Sequence, residues 1–554
     1  MRPFVDVRSL RLRFETGEKD ILSNINFQLH DGESVLLLGP SGSGKSTLTS
    51  CLNGLFPREL DGEMEGDIFI DGKKTIDYRP GELSKQVGVV FQDPETQFCM
   101  LNVEDEVAFG LENIGVPFEE MEEKIEDALE LVDMQDYKES AIATLSGGQK
   151  QKLALACILA LKPSLLILDE PTANLDPIAT KDLIETIKNL REKIKFGLVI
   201  IEHKLDDWTD LAERCLLLNR EGEIFNDSLL RTAIRNNRSQ LVEQGIWLPK
   251  VAQFFLKDNP DQMELPLTVE EFAAYPSRFA FVAEKRISRN SSESGISILE
   301  TRNIAWSARK RDIIKDVSLS IYEGEFIAIV GANGSGKTTL SRILSGIQKP
   351  ASGSISLKGK ALKEWKESLL RQEIGYVFQN PEHQFITNTV YDEVAFSLKM
   401  KNEPAETIRE KVYEILDTFG LLELKNEHPF SLSQGQKRRL SVATMIVDGQ
   451  SFLLLDEPTF GQDAQSNAEL MRLLQQRHER GATILMITHD MEIVDQYASR
   501  VVVMNNGEVV ADCTPESLWD KEAKNLKAWQ LELPVSVQIK KIHEEEAYYV
   551  STTS

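Results

Sequence analysis

The chain has 554 residues, which is enough for two or more domains that each bury a core. Its 88 acidic residues outnumber 63 basic ones, and the formal charge of −25 argues against a large nucleic-acid footprint, which would need a basic face. No signal peptide and no membrane-spanning apolar run is visible, so work at a membrane would require a partner protein. The five cysteines form no CxxC pair, which argues against a zinc or iron–sulfur site.

One series of motifs occurs twice in the same order, which predicts a duplicated domain. We expect a first domain at 1–230, a C-terminal addition and linker at 231–297, a second domain at 298–515, and an addition and tail at 516–554. Prolines and the polar stretch before residue 295 favour a linker there. The ends of the two copies also match, as Leu248-Pro-Lys-Val-Ala-Gln253 and Leu533-Pro-Val-Ser-Val-Gln538.

In each copy a short apolar run leads into a glycine-rich loop. Ser34–Leu38 and Phe326–Val330 are predicted to be buried strands, and helices are predicted to begin near Lys45 and Lys337. Glycines let backbone amides turn toward a phosphate, and the helix N-terminus adds partial positive charge. The pattern predicts ATP phosphate binding by two loops: Gly39, Pro40, Ser41, Gly42, Ser43, Gly44, Lys45, Ser46 and Thr47, and Gly331, Ala332, Asn333, Gly334, Ser335, Gly336, Lys337, Thr338 and Thr339.

The two lysines would reach the β- and γ-phosphates, and the hydroxyls of Ser46 and Thr338 would bind Mg²⁺. A glycine-rich turn that happens to end in Lys-Ser or Lys-Thr is the alternative. The pattern occurs at matching positions in both copies, which favours ATP binding over this alternative.

A pair of acids follows a second apolar run in each copy. Leu165–Leu168 precedes Asp169 and Glu170, and the run at 452–455 precedes Asp456 and Glu457. Parallel strands of α/β proteins present ligand-binding residues at their carboxyl ends. We expect each Asp to hold Mg²⁺ and each Glu to act as general base toward the attacking water. These acids could instead cap the following helix.

The ordered set resembles the nucleotide-binding domain of ABC proteins over nearly the full length of each copy. The selective motif is the signature, Leu145-Ser-Gly-Gly-Gln149 and Leu432-Ser-Gln-Gly-Gln436. The resemblance implies an α/β fold of two P-loop NTPase domains, each with a RecA-like core, a β-subdomain and a helical signature subdomain. It also implies that Gln92 and Gln379 are Q-loop residues that touch Mg²⁺ and that His203 and His489 are switch histidines. Phe14 and Trp306, each 25 residues before its loop, would stack on adenine. Any of these residues taken alone is more often a core residue.

The family resemblance further implies that the signature of one domain closes over the ATP of the other, here within one chain. One site would combine Lys45, Glu170 and His203 with Ser433, Gly435 and Gln436. The other would combine Lys337, Glu457 and His489 with Ser146, Gly147, Gly148 and Gln149. Gln434 departs from the family pattern, which has glycine there, so we expect unequal rates at the two sites.

The segments after the Q-loop glutamines resemble the energy-coupling-factor and cobalt-type importer ATPases. Asp/Asn-Pro-Glu-x-Gln-Phe occurs in both copies, followed by Asp-Glu-Val-Ala-Phe. The resemblance implies a motor at the cytoplasmic face of the cell membrane, with a transmembrane coupling subunit and a substrate-binding membrane protein. The cargo would be a vitamin, a vitamin precursor such as HMP or thiamine, or a metal ion.

Three alternatives remain open: a ribosome-associated tandem ABC translation factor, a fused sugar-importer ATPase and a regulatory ATPase without a transport role. The first usually has a basic linker, but residues 230–297 hold nine Lys or Arg against eight Asp or Glu. The second usually has a degraded second half, and here both copies keep their Lys, Asp, Glu and His.

Overall fold

A computed structural model gives the structure of the chain as two compact units, Met1–Phe272 (unit 1) and Ala273–Ser554 (unit 2). The structure describes residues 2–15, 19–40, 42–79, 81–173, 175–202, 205–274, 295–308, 311–447, 449–459, 461–521 and 523–542. Among these residues, no helix has both the length and the apolar character needed to cross a membrane.

Unit 1 contains ten strands and eight helices in its described part. The strands are β1 (Val5–Phe14), β2 (Leu22–Leu29), β3 (Ser34–Leu38), β4 (Gly62–Ile70), β5 (Lys73–Lys74), β6 (Val87–Val90), β7 (Leu165–Asp169), β8 (Gly197–Ile201), β9 (Arg214–Leu218) and β10 (Ile224–Leu229). The helices are α1 (Lys45–Leu52), α2 (Val103–Asn113), α3 (Phe118–Leu131), α4 (Gly147–Ala160), α5 (Pro177–Lys193), α6 (Leu230–Glu243), α7 (Lys250–Asp258) and α8 (Val269–Ala273).

Unit 2 repeats the order of the strands and adds two helices between them. The strands are β11 (Ser297–Ala308), β12 (Arg311–Tyr322), β13 (Phe326–Val330), β14 (Ser352–Leu357), β15 (Lys360–Ala361), β16 (Ile374–Val377), β17 (Phe452–Asp456), β18 (Thr483–Ile487), β19 (Arg500–Asn505) and β20 (Glu508–Cys513). The helices are α9 (Lys337–Leu344), α10 (Glu367–Glu373), α11 (Val390–Met400), α12 (Ala405–Thr418), α13 (Gln434–Ile446), α14 (Ala464–Glu479), α15 (Met491–Tyr497), α16 (Pro515–Trp519) and α17 (Ala523–Ala528). The two added helices are α10, before β16, and α15, before β19.

Each unit is built around a six-stranded, mostly parallel sheet. The strand order is β6-β7-β8-β3-β9-β10 in unit 1 and β16-β17-β18-β13-β19-β20 in unit 2. In β13, alternate residues enter two different cores: Phe326, Ala328 and Val330 pack in one, and Ile327 and Ile329 in the other. A strand covered on both faces needs a continuous apolar sequence, which is why these runs could be read as buried strands.

A second, four-stranded sheet in each unit is antiparallel, with the orders β2-β1-β4-β5 and β12-β11-β14-β15. Helices α2–α4 lie between β6 and β7 in sequence, and α11–α13 lie between β16 and β17. These helices carry the signature motifs at the starts of α4 and α13. The predicted α/β class is confirmed by both sheets and by this arrangement.

The region predicted at 231–297 divides into two parts. Residues up to 274 include α6, α7 and α8, and the apolar side chains of Leu241, Phe255 and Phe272 in these helices and of Leu248 before α7 are buried. Residues up to Phe272 belong to unit 1. The polar stretch that favoured a linker falls within residues 275–294, which lie outside the described residues.

Candidate functional site

The Gly-rich loop of unit 1 connects β3 directly to α1, as the sequence predicts. The Lys45 ammonium donates hydrogen bonds to the carbonyl oxygens of Gly39 and Pro40, both at 2.9 Å. The lysine therefore folds back across its own loop and places a cation beside the first turn of the helix. The matching distances in unit 2 are both 2.8 Å, from Lys337 Nζ to the carbonyl oxygens of Gly331 and Ala332.

Neither loop helix has a side-chain cap at its N-terminus. The N-cap residues, Gly44 and Gly336, have φ values of 91° and 103°, a conformation that favours glycine. A Cβ on Gly336 would lie 2.8 Å from the Ile313 carbonyl oxygen, so the position also lacks space for a side chain. With no side-chain cap and no acidic residue in the first turn, the exposed amides and the helix dipole suit an anion.

The remaining loop residues are placed as follows. Ser43 and Ser335 have buried hydroxyl oxygens with no hydrogen-bond partner among the described residues. Ser41 lies outside the described residues. Ser46 and Thr338 occupy the second position of their helices, where a hydroxyl can face the same region as the lysine.

Asp456 ends β17 and Glu457 follows it, and β17 lies next to the edge strand β16. Glu457 has φ 50°, a left-handed conformation that non-glycine residues rarely adopt, and its amide donates to the Ile487 carbonyl of β18. In unit 1, Glu170 has φ 49° and bonds in the same way to Ile201. The same strained turn thus aims the second acid of each pair.

The Glu457 carboxylate meets two of the predicted site residues. His489 Nε2 lies 2.9 Å from Glu457 Oε1, and Gln379 Nε2 lies 3.4 Å from Glu457 Oε2. Burial acts to raise the pKa of Glu457, but the hydrogen bond with His489 and the positive charges of His489, Lys337 and Arg438 outweigh it and lower the pKa. The carboxylate therefore stays ionised at neutral pH and can accept a proton from a water molecule.

Asp456 is 1% exposed, and burial followed by the charge of Glu457 raises its pKa to about 6. Its carboxyl accepts a hydrogen bond from Thr338, while Oδ1 has no hydrogen-bond partner among the described residues. A buried acid with an unused oxygen, bonded to a hydroxyl at the loop helix, is a donor set that suits a hard cation such as Mg²⁺.

Unit 1 shows the corresponding contact between acid and Q-loop. Gln92 Nε2 donates to Glu170 Oε2 at 2.9 Å, although the two residues are 78 positions apart in sequence. Asp169, the last residue of β7, is 6% exposed. The predicted switch residue His203 lies outside the described residues.

The signature motifs form capping boxes. Ser146 accepts a hydrogen bond from the Gln149 amide at 3.3 Å, and the Gln149 side chain accepts one from the Ser146 amide at 2.8 Å. Ser433 and Gln436 repeat both bonds. Ser and Gln three residues apart thus satisfy amides at each helix start. Sequence reasoning assigned these residues to the phosphate cage only, although the Ser-x-x-Gln spacing is itself a capping signal.

The predicted adenine-stacking residues lie in the antiparallel sheets, where both are half-buried. Phe14 ends β1 and packs edge-on against Phe56, with 6.1 Å between ring centroids. Trp306 lies in β11 and packs against the core beneath that sheet.

Three residues near the unit 2 site were not predicted. Tyr376 in β16 lies 3.0 Å from Ser341 Oγ and 3.5 Å from Asp456 Oδ2, and Arg438 donates to the Phe378 carbonyl at 3.2 Å. Lys437 pairs with Glu382 of the Q-loop segment at 2.6 Å. Comparing the two copies would have revealed the first two, since unit 1 has Val89 and Gln151 at these positions.

Comparisons with known proteins show to which family the chain is similar. The ABC transporter family model matches residues 22–173 and 314–460. YkoD of Bacillus subtilis (strain 168), named provisionally as an HMP/thiamine import ATP-binding protein, is 43% identical over 99% of this chain and 98% of its own length. A protein of Methanosarcina mazei, named provisionally as an ABC transporter ATP-binding protein, is 37% identical over 92% of this chain and 88% of its own.

Among solved structures, cbiO1 of Clostridium perfringens, described as part of the ABC transporter complex cbiONQ, is 34% identical. It covers 42% of this chain and 94% of its own, with a TM-score of 0.37. The family model matches the chain twice, and the relatives are similar over nearly their full lengths. Both findings confirm the resemblance to ABC proteins. The chain belongs to the ABC transporter family and is an ATP-binding, ATP-hydrolysing protein with two ABC domains.

Proposed function

We propose that this chain is the motor subunit of an energy-coupling-factor-type ABC importer. It would couple ATP binding and hydrolysis to uptake of a vitamin, a vitamin precursor or a metal ion through membrane partners. The observation that carries the proposal is the direct contact of each Q-loop glutamine with the second acid, Gln92 with Glu170 and Gln379 with Glu457. A residue that touches the catalytic carboxylate and also begins the acidic post-glutamine segment is suited to link hydrolysis with an external partner.

At each Gly-rich loop the lysine and the uncapped helix start would hold the ATP phosphates. Lys45 and Lys337 lie beside these starts, so binding would exchange their hydrogen bonds to loop carbonyls for hydrogen bonds to phosphate. Phe14 and Trp306 would stack on adenine. The ring of each is half-buried, which leaves part of its surface for a base.

Mg²⁺ would be held by a hydroxyl and an acid in each unit, Ser46 with Asp169 and Thr338 with Asp456, with Gln92 and Gln379 completing the oxygen donors. When bound, the ion neutralises charge on the β- and γ-phosphates. The buried Oδ1 of Asp456, which has no hydrogen-bond partner in the part of the chain that the structure describes, supports this assignment.

Glu170 and Glu457 would act as general bases that orient and deprotonate the attacking water. The pKa of Glu457 is lowered despite burial, which keeps the base ionised, and His489 lies beside it to contact the γ-phosphate. His203 takes the same role in unit 1 by its place in the repeat.

The signatures would complete each ATP site from the other unit, within the one chain. Ser146, Gly147, Gly148 and Gln149 would serve the nucleotide of unit 2, and Ser433, Gly435 and Gln436 that of unit 1. The capping boxes support this arrangement, because they fix the helix starts whose backbone amides would face the γ-phosphate.

For the cargo we propose HMP or thiamine, on the strength of the name given to YkoD and the 43% identity over nearly both full lengths. The partners would be a transmembrane coupling subunit and a separate substrate-binding membrane protein. The protein would therefore work at the cytoplasmic face of the cell membrane, with no nucleic acid partner.

An affinity purification from gently solubilised cells, followed by mass spectrometry, tests the proposal. The expected result is a multi-span membrane subunit together with a small substrate-binding membrane protein, both lost on high-detergent washing. A Gln92→Ala, Gln379→Ala variant that still binds ATP should recover less of the membrane subunit. Recovery of ribosomes without a membrane protein would overturn the importer and favour the translation-factor alternative.

A further inference from the structure

Each unit has the pattern Leu-Pro-x-x-x-Gln in its C-terminal part, at Leu248–Gln253 and Leu533–Gln538, to which the proposed function assigns no role. In both copies the glutamine turns back on the start of the pattern. Gln253 Nε2 donates to the Leu248 carbonyl at 2.6 Å, and Gln538 Nε2 donates to the Leu533 carbonyl at 2.7 Å. The pattern therefore forms the same local structure twice, a helical start closed by its own glutamine.

The amide that follows the proline of each pattern is held by a carboxylate from another part of its unit. In unit 1 the Lys250 amide donates to Asp206 Oδ1 at 2.5 Å, and in unit 2 the Val535 amide donates to Glu492 Oε1. Asp206 and Glu492 each stand three residues after a predicted switch histidine. The N-cap Pro249 supplies no side-chain acceptor to α7, so the distant carboxylate acts as the cap.

In unit 2 a series of hydrogen bonds joins the histidine segment to the pattern. The Asp490 amide donates to Thr488 Oγ1 at 3.0 Å, and the Glu492 amide donates to Asp490 Oδ1 at 3.1 Å. Glu492 then receives the Val535 amide. Because His489 lies between Thr488 and Asp490, the backbone on both sides of the histidine is fixed by this series.

Packing holds the same elements together. Trp519 of α16 is 2% exposed and donates from Nε1 to Asp495 Oδ1 of α15 at 2.8 Å, while Ser536 donates to Asp495 Oδ2 at 3.3 Å. Val494 of α15 and Val537 of the pattern belong to one buried cluster. The C-terminal addition is therefore attached along α15, the helix that begins two residues after His489.

We infer that Glu492 is a positioning residue for ATP hydrolysis. By capping the Leu533–Gln538 pattern it ties the C-terminal addition to the segment that carries His489, and so keeps His489 Nε2 beside the Glu457 carboxylate. Asp206 has the matching place in unit 1. The inference rests on the proposed role of His489 as switch histidine. Because the cap acts on the histidine segment, its loss should lower kcat and leave ATP binding unchanged.

Two double variants of the full-length protein remove the same hydrogen bonds from opposite sides. Asp206→Ala with Glu492→Ala removes both acceptors, and Lys250→Pro with Val535→Pro removes both donors at the first helical position, where proline is well tolerated. Changing both units together prevents one intact site from masking the other. We expect each pair to lower kcat roughly three- to tenfold, with the KM for ATP within about twofold of wild type.

Conservative variants separate positioning from loss of fold. Asp206→Asn with Glu492→Gln keeps an acceptor oxygen and should restore most of kcat. Asp520→Ala, an exposed carboxylate in the C-terminal addition of unit 2, is the matched control and should leave kcat unchanged. If the proline pair does not fold, the comparison of the alanine pair with the amide pair decides the question.

Three outcomes would overturn the inference: an unchanged kcat in the alanine pair, a loss of kcat in the alanine pair but not in a folded proline pair, or no recovery in the amide pair. His489→Ala with His203→Ala tests the proposed histidine role separately. If that variant hydrolyses ATP normally, the histidine role fails and the inference fails with it. If that variant is inactive while the alanine pair and the proline pair hydrolyse ATP at the wild-type rate, only the inference about Glu492 and Asp206 fails.

Discussion

Replacing Asp456 by asparagine should stabilise the nucleotide-free protein and abolish hydrolysis at the site that uses it. Asp456 is 1% exposed, and burial together with the charge of Glu457 raises its pKa from 3.8 to about 6. An acid with a higher pKa in the folded state than in the unfolded state destabilises the fold when it is ionised. Asparagine keeps the shape of the side chain and removes the charge.

The size of the effect follows from the two pKa values. A tenfold change in an acid dissociation constant is worth about 1.4 kcal/mol, so a pKa that rises from 3.8 to about 6 corresponds to about 3 kcal/mol. The destabilisation is nearly complete above pH 6 and disappears as the pH falls toward 3.8. In a domain of this size, each kcal/mol of added stability raises the melting temperature by roughly 2–4 °C, so we expect a rise of several degrees.

Thermal unfolding of wild type and Asp456→Asn, without nucleotide or Mg²⁺, measures the gain. We expect the variant to be more stable at pH 8 and the difference to be smaller at pH 5.5, with Asp520→Asn unchanged at both. Saturating ATP with Mg²⁺ should reverse the order, because only wild type keeps the full set of metal ligands and a ligand of the folded state stabilises by mass action. A variant that is equally or less stable at pH 8 without ligand would refute the reasoning.

Two further predictions concern the contacts around the acids. Glu457→Gln should reduce steady-state ATP hydrolysis more than Glu170→Gln, because the proposed partner signature of unit 2 has glycine where the other has Gln434; equal losses in the purified protein would contradict this. Glu382→Ala leaves the Lys437 charge unpaired and should destabilise unit 2 by about 1–3 kcal/mol. Lys437→Met leaves the Glu382 charge unpaired and should cost less, because the Glu382 side chain is 33% exposed and that of Lys437 only 10%. Urea unfolding of both variants and the double variant measures the coupling, and additive effects would argue against the ion pair.

The sequence predicted the local geometry of the phosphate loops closely. The strands β3 and β13 have the predicted bounds and the helices begin at Lys45 and Lys337, because glycine-rich turns and continuous apolar runs are local signals. The acids at the ends of β7 and β17 were also predicted, since strand ends at a parallel sheet edge follow from the fold class.

Contacts between distant segments could not be predicted in this way. The Lys250–Asp206 bond joins residues 44 positions apart, and nothing in either segment signals the other. Arg438 reads as an ordinary charged helix residue until the fold places it beside the Phe378 carbonyl. The 231–297 region combined a packed addition with a polar stretch, and composition alone gave no boundary between them.

The two copies differ at buried positions beside the acids: Arg438 and Tyr376 in unit 2 stand where unit 1 has Gln151 and Val89. The two units are separate segments of one chain, so they are always present in a one-to-one ratio and a substitution in one leaves the sequence of the other unchanged. Evolution could therefore tune each catalytic centre separately. In the laboratory, every one-site variant is a single molecular species, which permits measurements on one disabled centre without the mixed populations that separately expressed subunits produce.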